Sequence, residues 1–409
     1  MSSTSAQTML TDDLREQMEA DYRHLHANPE LSMQEHETAA YVEKRFEELG
    51  IEHFRCGGTG VVGIIRNGDG PVVAYRGDSD GLPILEDTGF EWASKATGTL
   101  PDGTEVPVMH GCGHDIHTSN LMGVGRAFVE NRDAWKGTLI LLSQPGEETA
   151  AGAAAMVADG LWEKAPKADV VYGQHVMPGV TGTVSLSIGT AMSMADSWKV
   201  TLHGRQAHGS QPQNSIDPIV LGSHIVTRLQ SVVARNVDPR DMAVVTVGTF
   251  HSGTKENIIP GTAELGLNVR TFDPEVRETV LSGIRRTVEG EVLASGAPDA
   301  EFEELYRFPA NYNDPDESQR VLDVLRAELG EENVSVSAPL SGSEDFGALA
   351  QAIGVPSVFW LNGGYTKEFL ESGEPIPGNH SPQFGPVPQP TLDTGLRSAV
   401  AVLMARLAA

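Results

Sequence analysis

Three short apolar runs constrain the fold most: "PVVAYRGD" from Pro71 to Asp78, "GTLILLSQP" from Gly137 to Pro145 and "ADVVYGQH" from Ala168 to His175. Each ends at Gly, Pro or polar residues, which reads as a buried strand. Helical spacing lies around and between them. His36 to Gly50 sets Ala40, Val42, Phe46 and Leu49 near one stripe with Gly50 as the stop, and Asn120 to Asn131 forms a second helical segment. Strands alternating with helices predict an α/β domain with a mostly parallel sheet.

After "SLSIGTAMSMAD" the pattern changes. A strand at Ser197 to His203 precedes a helix from Asp217 to Asn236, then "MAVVTVGTF" and "GTAELGLNVRTF" follow as consecutive strands. A helix from Pro274 to Ser295 and the strand-like "AEFEELYRF" complete a β-α-β-β-α-β order, the ferredoxin-like arrangement. From Pro309 the first pattern resumes, with a helix near Glu317 to Leu329, a buried strand "PSVFWLN" and a terminal helix from Thr391 to Leu407. At 409 residues two domains are expected, with 192–308 inserted between 1–191 and 309–409.

Composition excludes several classes. Hydrophobic residues at 40% and charged residues at 21% suit a globular protein, and no apolar run has membrane-spanning length. A net charge of -27 opposes binding to nucleic-acid phosphates or anionic lipid, so neither is expected as a partner. The opening "MSSTSAQTMLTDDLREQ" lacks the basic and apolar regions of a secretory signal, and only Cys56 and Cys112 could form a disulfide. A cytoplasmic, reducing location is expected.

Open α/β sheets gather polar groups on loops at the carboxyl ends of their strands, where metal sites form. In "HGCGHDIHT", Cys112 and His114 stand at i and i+2 in a turn loosened by Gly111 and Gly113, and can point at one ion. "QPGEET" supplies Glu147 and Glu148; neighbouring side chains diverge, so one carboxylate can bind metal while the other holds a water for deprotonation. His175 closes the next strand, and His380 follows the last one in "PGNHSPQF". Cys112, His114, Glu148, His175 and His380 exceed what one tetrahedral zinc requires and suit two ions sharing a bridge, for which Cys112 is the candidate. A thiol nucleophile at Cys112, activated by His110 or His114, is the competing reading; it leaves the glutamates and the distant histidines unexplained. Taken singly, each of these residues also has an ordinary role in packing, capping or surface charge.

The segments "MHGCGHDIHT", "QPGEE", "GQHVMP", "AHGSQP", "SGSEDFG" and "GNHSP" resemble, in the same order, those of the metal-dependent amidohydrolases. That family includes hippurate hydrolase, N-acyl-amino-acid aminoacylases and plant auxin-conjugate hydrolases. The resemblance runs from "HANPELSMQEHET" to the last helix. In "SMQEHET" and "AVVTVG" it is nearest to bacterial aminoacylases acting on N-acyl-glutamine. It implies a zinc-peptidase-like catalytic domain interrupted by a ferredoxin-like lid or dimerisation domain. It further implies that Cys112, His114, Glu148, His175 and His380 are metal ligands and that Glu147 is the general base. His208 in "GRQAHGSQP" would approach the substrate carbonyl, in some members from the neighbouring subunit, and Asn257 and Arg270 would bind substrate. Ser343 and Glu344 would lie beside the site, and Asp78 and Asp80 would orient ligands. Where relatives carry alanines around the paired aspartates of "YRGDSDG", this chain has Gly77 and Gly81, a difference expected to affect packing.

The implied activity is cleavage of N-acyl amino acids by a homodimer with two divalent ions per subunit. The thiolate favours zinc, with manganese or cobalt as alternatives. A dipeptidase or aminopeptidase with the same centre is the nearest competitor, and a non-catalytic amino-acid-binding protein a more distant one.

Overall fold

The computed structural model describes residues 6–408. The apolar runs form the strands Val72–Asp78, Gly137–Gln144 and Val170–Val180, neighbours in one eight-stranded sheet. Val72–Asp78 pairs in parallel with both of the others, and Val170–Val180 pairs in parallel with Ser357–Tyr365. Antiparallel pairs flank this centre: Gly60–Asn67 lies between Glu52–Cys56 and Gly137–Gln144, while Val184–Leu186 lies against Ser357–Tyr365. The fold is α/β with a mixed, mostly parallel central sheet. Every residue of Gly137–Gln144 is buried, which is why that run shows no polar alternation.

The chain divides into two compact units. One holds the residues up to Ala191, Asn311–Pro339 and those from Asp345 on; the other holds Met192–Ala310 and Leu340–Glu344. The short return of Leu340–Glu344 to the second unit differs from the single pair of breaks expected from the sequence. Its cause is backbone pairing: the Ser193 N–H donates to the carbonyls of Leu340 and Gly342 at 3.1 and 2.8 Å. Local periodicity carries no trace of such a contact.

In the first unit the helix His114–Glu130 packs on the sheet, with Leu121, Val124 and Phe128 joining Phe46, Leu141 and Leu403 in the core. It begins six residues before the Asn120 start expected from periodicity. Its first turn is polar yet buried, so no apolar stripe marks it. The strand Val170–Val180 likewise continues past His175, so that residue sits within the strand and does not close it. Pairing with Ser357–Tyr365 carries the ladder on, Leu361 facing His175 and Tyr365 facing Val180.

The second unit has a four-stranded antiparallel sheet in the order Ala243–Ser252, Thr262–Thr271, Met194–His203, Glu301–Phe308. The helices Pro218–Asn236 and Pro274–Ser295 complete a β-α-β-β-α-β sequence. Val200, Leu202, Ile225, Leu229, Leu265 and Ile284 form its core. Both helices start at an aspartate cap, Asp217 or Asp273, followed by proline, a pairing that satisfies free N–H groups and presets the first turn.

Candidate active site

Gly113 makes the turn into the helix His114–Glu130. Its φ of 84° is left-handed, and a Cβ there would lie 2.4 Å from Val176 Cγ1, so glycine alone fits both demands. The turn delivers Cys112 with its Sγ 3.4 Å from His175 Nε2. His175 Nδ1 lies 2.7 Å from the Val176 carbonyl, which only accepts, so the proton is on Nδ1 and Nε2 keeps its lone pair. His114 repeats the device: Nδ1 donates to the carbonyl and Oδ1 of Asp80 at 3.0 and 3.1 Å. Its Nε2 is buried and makes no hydrogen bond.

Glu147 and Glu148 stand in a short 3-10 turn, Glu147–Thr149, entered through Gly146 at a φ of 55°. Glu35 pins the entry: its Oε1 accepts the N–H groups of Gly146 and Met33, each at 2.8 Å. Asp80 Oδ2 accepts the Glu148 N–H at 3.0 Å. The two carboxylates do not diverge as the sequence suggested, since an oxygen of each and a ring nitrogen of His114 lie within 4.8 Å of one another. The tight turn lets two long side chains curl towards one point.

His380 arrives on the loop after Ser357–Tyr365 in a left-handed conformation, φ 69°, with its N–H bonded to the Gly111 carbonyl at 2.7 Å. Asn379 Nδ2 reaches the carbonyls of Cys112 and Val176 at 3.3 and 3.2 Å, tying its loop to the cysteine turn and to the strand Val170–Val180. His380 Nε2 lies 3.2 Å from Glu148 Oε1, and ligand atoms of Cys112, Glu148 and His380 fall within 4.8 Å. Cys112 thus faces His175 on one flank and the Glu148–His380 pair on another. Cys112, His114, Glu148, His175, His380 and Glu147 all converge in the first unit.

The electrostatics of this cluster suit a cation. Burial pushes the Cys112 thiol up, and burial with the neighbouring His117 holds His175 well below the usual histidine range, in its neutral form. Burial also opposes charge on His114, but Asp78 and Asp80 outweigh it and hold that imidazole well above its usual range. The two aspartates thus favour positive charge at His114. With one thiol, three imidazoles and a carboxylate as donors and an unbonded buried His114 Nε2, these residues fit divalent metal.

Asp78 and His117 also lie close to His114 and His175, but each is already hydrogen-bonded elsewhere. His117 Nδ1 donates to Asp78 Oδ1 at 2.5 Å, and its Nε2 accepts the Val176 N–H at 2.8 Å. Asp78 Oδ2 takes the Arg76 guanidinium at 2.6 Å. Despite burial, Arg76, His114 and His117 hold the Asp78 carboxyl well below its usual range. These contacts fix Asp78 and His117 to Arg76 and to the Val176 backbone. Asp115 serves the loop from behind, accepting from buried His26 at 2.6 Å and capping the Ile116 N–H at 2.9 Å. Burial pushes His110 down to about 4, so it is neutral, and neither ring nitrogen has a hydrogen bond.

In the second unit, His208 and Asn257 are brought together, since the Gly209 N–H donates to the Asn257 carbonyl at 2.8 Å. His208 is exposed, and its Nδ1 accepts the Ser210 N–H at 3.1 Å, leaving the proton on Nε2. Arg270 stands apart on Thr262–Thr271, where its Nε donates to Asn268 Oδ1 at 2.9 Å and its Nη1 to Ser343 Oγ at 2.6 Å. Sequence reasoning missed Glu35 and Asn379, although both lie inside quoted segments, "SMQEHET" and "GNHSP".

Residues 74–375 match Peptidase family M20/M25/M40. The chain is 42% identical to N-acetyl-L-cysteine deacetylase of Bacillus subtilis over 65% of its own length and 62% of that protein. With the N-acyl-L-amino acid amidohydrolase of Geobacillus stearothermophilus it shares 38% identity over 75% of this chain and 81% of the other. The crystal structure of a dinuclear metal-binding M20 peptidase from Bacillus subtilis superposes with a TM-score of 0.75 at 29% identity, covering 97% of this chain and 99% of that one. The chain belongs to the M20/M25/M40 peptidase family and is a hydrolase of amide bonds. No helix among the described residues is long and apolar enough to cross a membrane.

Proposed function

We propose that the chain is a metal-dependent amidohydrolase that cleaves N-acyl amino acids to a carboxylic acid and a free amino acid. The carrying observation is the convergence of Cys112, His114, Glu148, His175 and His380 beside Glu147, with the His114 and His175 rings fixed so that Nε2 is available. The names of the amidohydrolase relatives support the substrate class. In this reading those five residues would hold two divalent ions. Thiolate and imidazole donors favour zinc, and manganese or cobalt would satisfy the same set. Bound there, the metal supplies Lewis acidity and lowers the pKa of water towards neutrality.

Glu147 takes a proton from the attacking water and delivers it to the leaving nitrogen. His208, protonated on Nε2, donates to the carbonyl oxygen as negative charge develops there, from its own or the neighbouring subunit. Arg270 and Asn257 hold the carboxylate of the amino-acid half, Arg270 as a charged donor to an anion. The β-α-β-β-α-β unit serves as lid and dimerisation domain, and the enzyme works as a cytoplasmic homodimer.

A panel varying acyl group and amino acid separately, run on protein of measured metal content, tests the reading. Hydrolysis of N-acyl amino acids in preference to dipeptides is expected, and E147Q should keep its metal while losing turnover. Preference for dipeptides would move the protein to the peptidase alternative. No hydrolysis of any N-acyl amino acid by metal-replete protein would remove the central claim.

A further inference from the structure

Arg270 carries a charge that its own unit leaves uncompensated. Its bonded partners are neutral oxygens, Asn268 Oδ1 and Ser343 Oγ, and no carboxylate of the described residues in this unit pairs with it. In a chain of net charge -27, a half-buried arginine held by an amide and a hydroxyl is unusual company. Such a guanidinium retains its full attraction for an incoming anion.

Both partners are themselves anchored. Asn268 Nδ2 donates to Tyr306 Oη at 2.9 Å, which fixes the amide so that its oxygen faces Arg270. Ser343 Oγ lies 3.1 Å from the hydroxyl of fully buried Ser193. The Ser193 hydroxyl has the carbonyls of Ser341 and Gly342 as acceptors at 2.8 and 3.1 Å. Because Ser193 donates to a carbonyl, the Ser343 hydroxyl donates to Ser193 and accepts from Arg270. The fork is thus held at Nε and at one Nη1 hydrogen. Asn268 closes the side edge formed by Nε and Nη2 to bidentate pairing. Nη2 and the second Nη1 hydrogen are left.

We infer that Asn268 and Ser343 are positioning residues that aim Arg270 for end-on capture of the substrate's α-carboxylate, with Ser193 anchoring Ser343. This rests on the reading of Arg270 as the carboxylate-binding residue given above. It adds that specificity for a free acid depends on two neutral residues, one of them in the short Leu340–Glu344 segment that the second unit takes back.

The test uses full-length, metal-loaded enzyme with the N-acyl amino acid hydrolysed best in the panel and with its α-carboxamide. Ser343→Ala should raise KM for the acid about tenfold, the worth of one charge-assisted hydrogen bond, with kcat within about twofold and with kinetics on the amide unchanged. Ser343→Thr should restore KM. Asn268→Asp keeps the acceptor but neutralises the fork, and should raise KM for the acid alone even if Ser343→Ala folds poorly. If Arg270→Met leaves KM for the acid unchanged, the carboxylate reading falls and this inference with it. If Arg270→Met raises KM while the Ser343 and Asn268 variants do not, or if they impair acid and amide alike, the inference alone is overturned.

Discussion

Asp80 grips two elements of the site at once: Oδ1 lies 3.1 Å from His114 Nδ1, and Oδ2 accepts the Glu148 backbone N–H at 3.0 Å. One side chain therefore sets both a ring orientation and a loop position. Replacing Asp80 by Ala should weaken metal binding by about 10- to 100-fold, measured by titrating metal into stripped protein. Unchanged affinity would show that other contacts hold both ligands.

His117 and His175 differ in what they have left to give. His117 spends both nitrogens, on Asp78 and on Val176, whereas His175 keeps Nε2 beside Cys112. H175Q should lower the metal retained per chain after dialysis. H117Q should retain it while losing about 1–3 kcal/mol of stability from broken buried hydrogen bonds. Elemental analysis with denaturant melts separates the two, and equal metal loss in both variants would contradict the assignment.

Buried His26 bonds Asp115 through Nδ1 at 2.6 Å and Glu86 through Nε2 at 2.9 Å. Burial by itself disfavours its charge, but the two carboxylates prevail and push the imidazole up to about 9. Folding therefore favours the protonated ring. Its stabilisation is complete below the unfolded value of 6.5 and drains away as pH rises through about 9. The loss should amount to about 3 kcal/mol. Melts across that range should show the fall in wild type and a flatter profile in H26Q; parallel profiles would count against a charged His26.

Gly77 lets the helix His114–Glu130 lie close against its strand, since a Cβ there would stand 2.7 Å from the His117 carbonyl oxygen. In this chain G77A should cost about 1–3 kcal/mol by overpacking. A neutral effect on the melting temperature would mean that the helix shifts freely.

Much of this was legible in the sequence because burial writes itself locally. Apolar runs marked the central strands, and Gly111 and Gly113 marked the turn that carries Cys112. Where burial is polar the signal vanishes, so the start of the helix at His114 and the continuation of the strand beyond His175 were missed. Partnerships across distance were beyond reach: Glu35 meets Gly146 from 111 positions away, and Ser343 meets Arg270 from 73. The apparent divergence of Glu147 and Glu148 failed because a 3-10 turn after a left-handed glycine overrides the rule for extended neighbours.

The strand Ser357–Tyr365 lies between Val170–Val180 and Val184–Leu186, and Asn379 reaches back 267 positions to Cys112. A ribosome must therefore pass Asn379 before the cysteine loop can be clasped. During synthesis the thiol waits without its last companions, and a product truncated before His380 would present an incomplete cluster. The order of translation thus delays assembly of the cluster until the loop carrying Asn379 and His380 has been made.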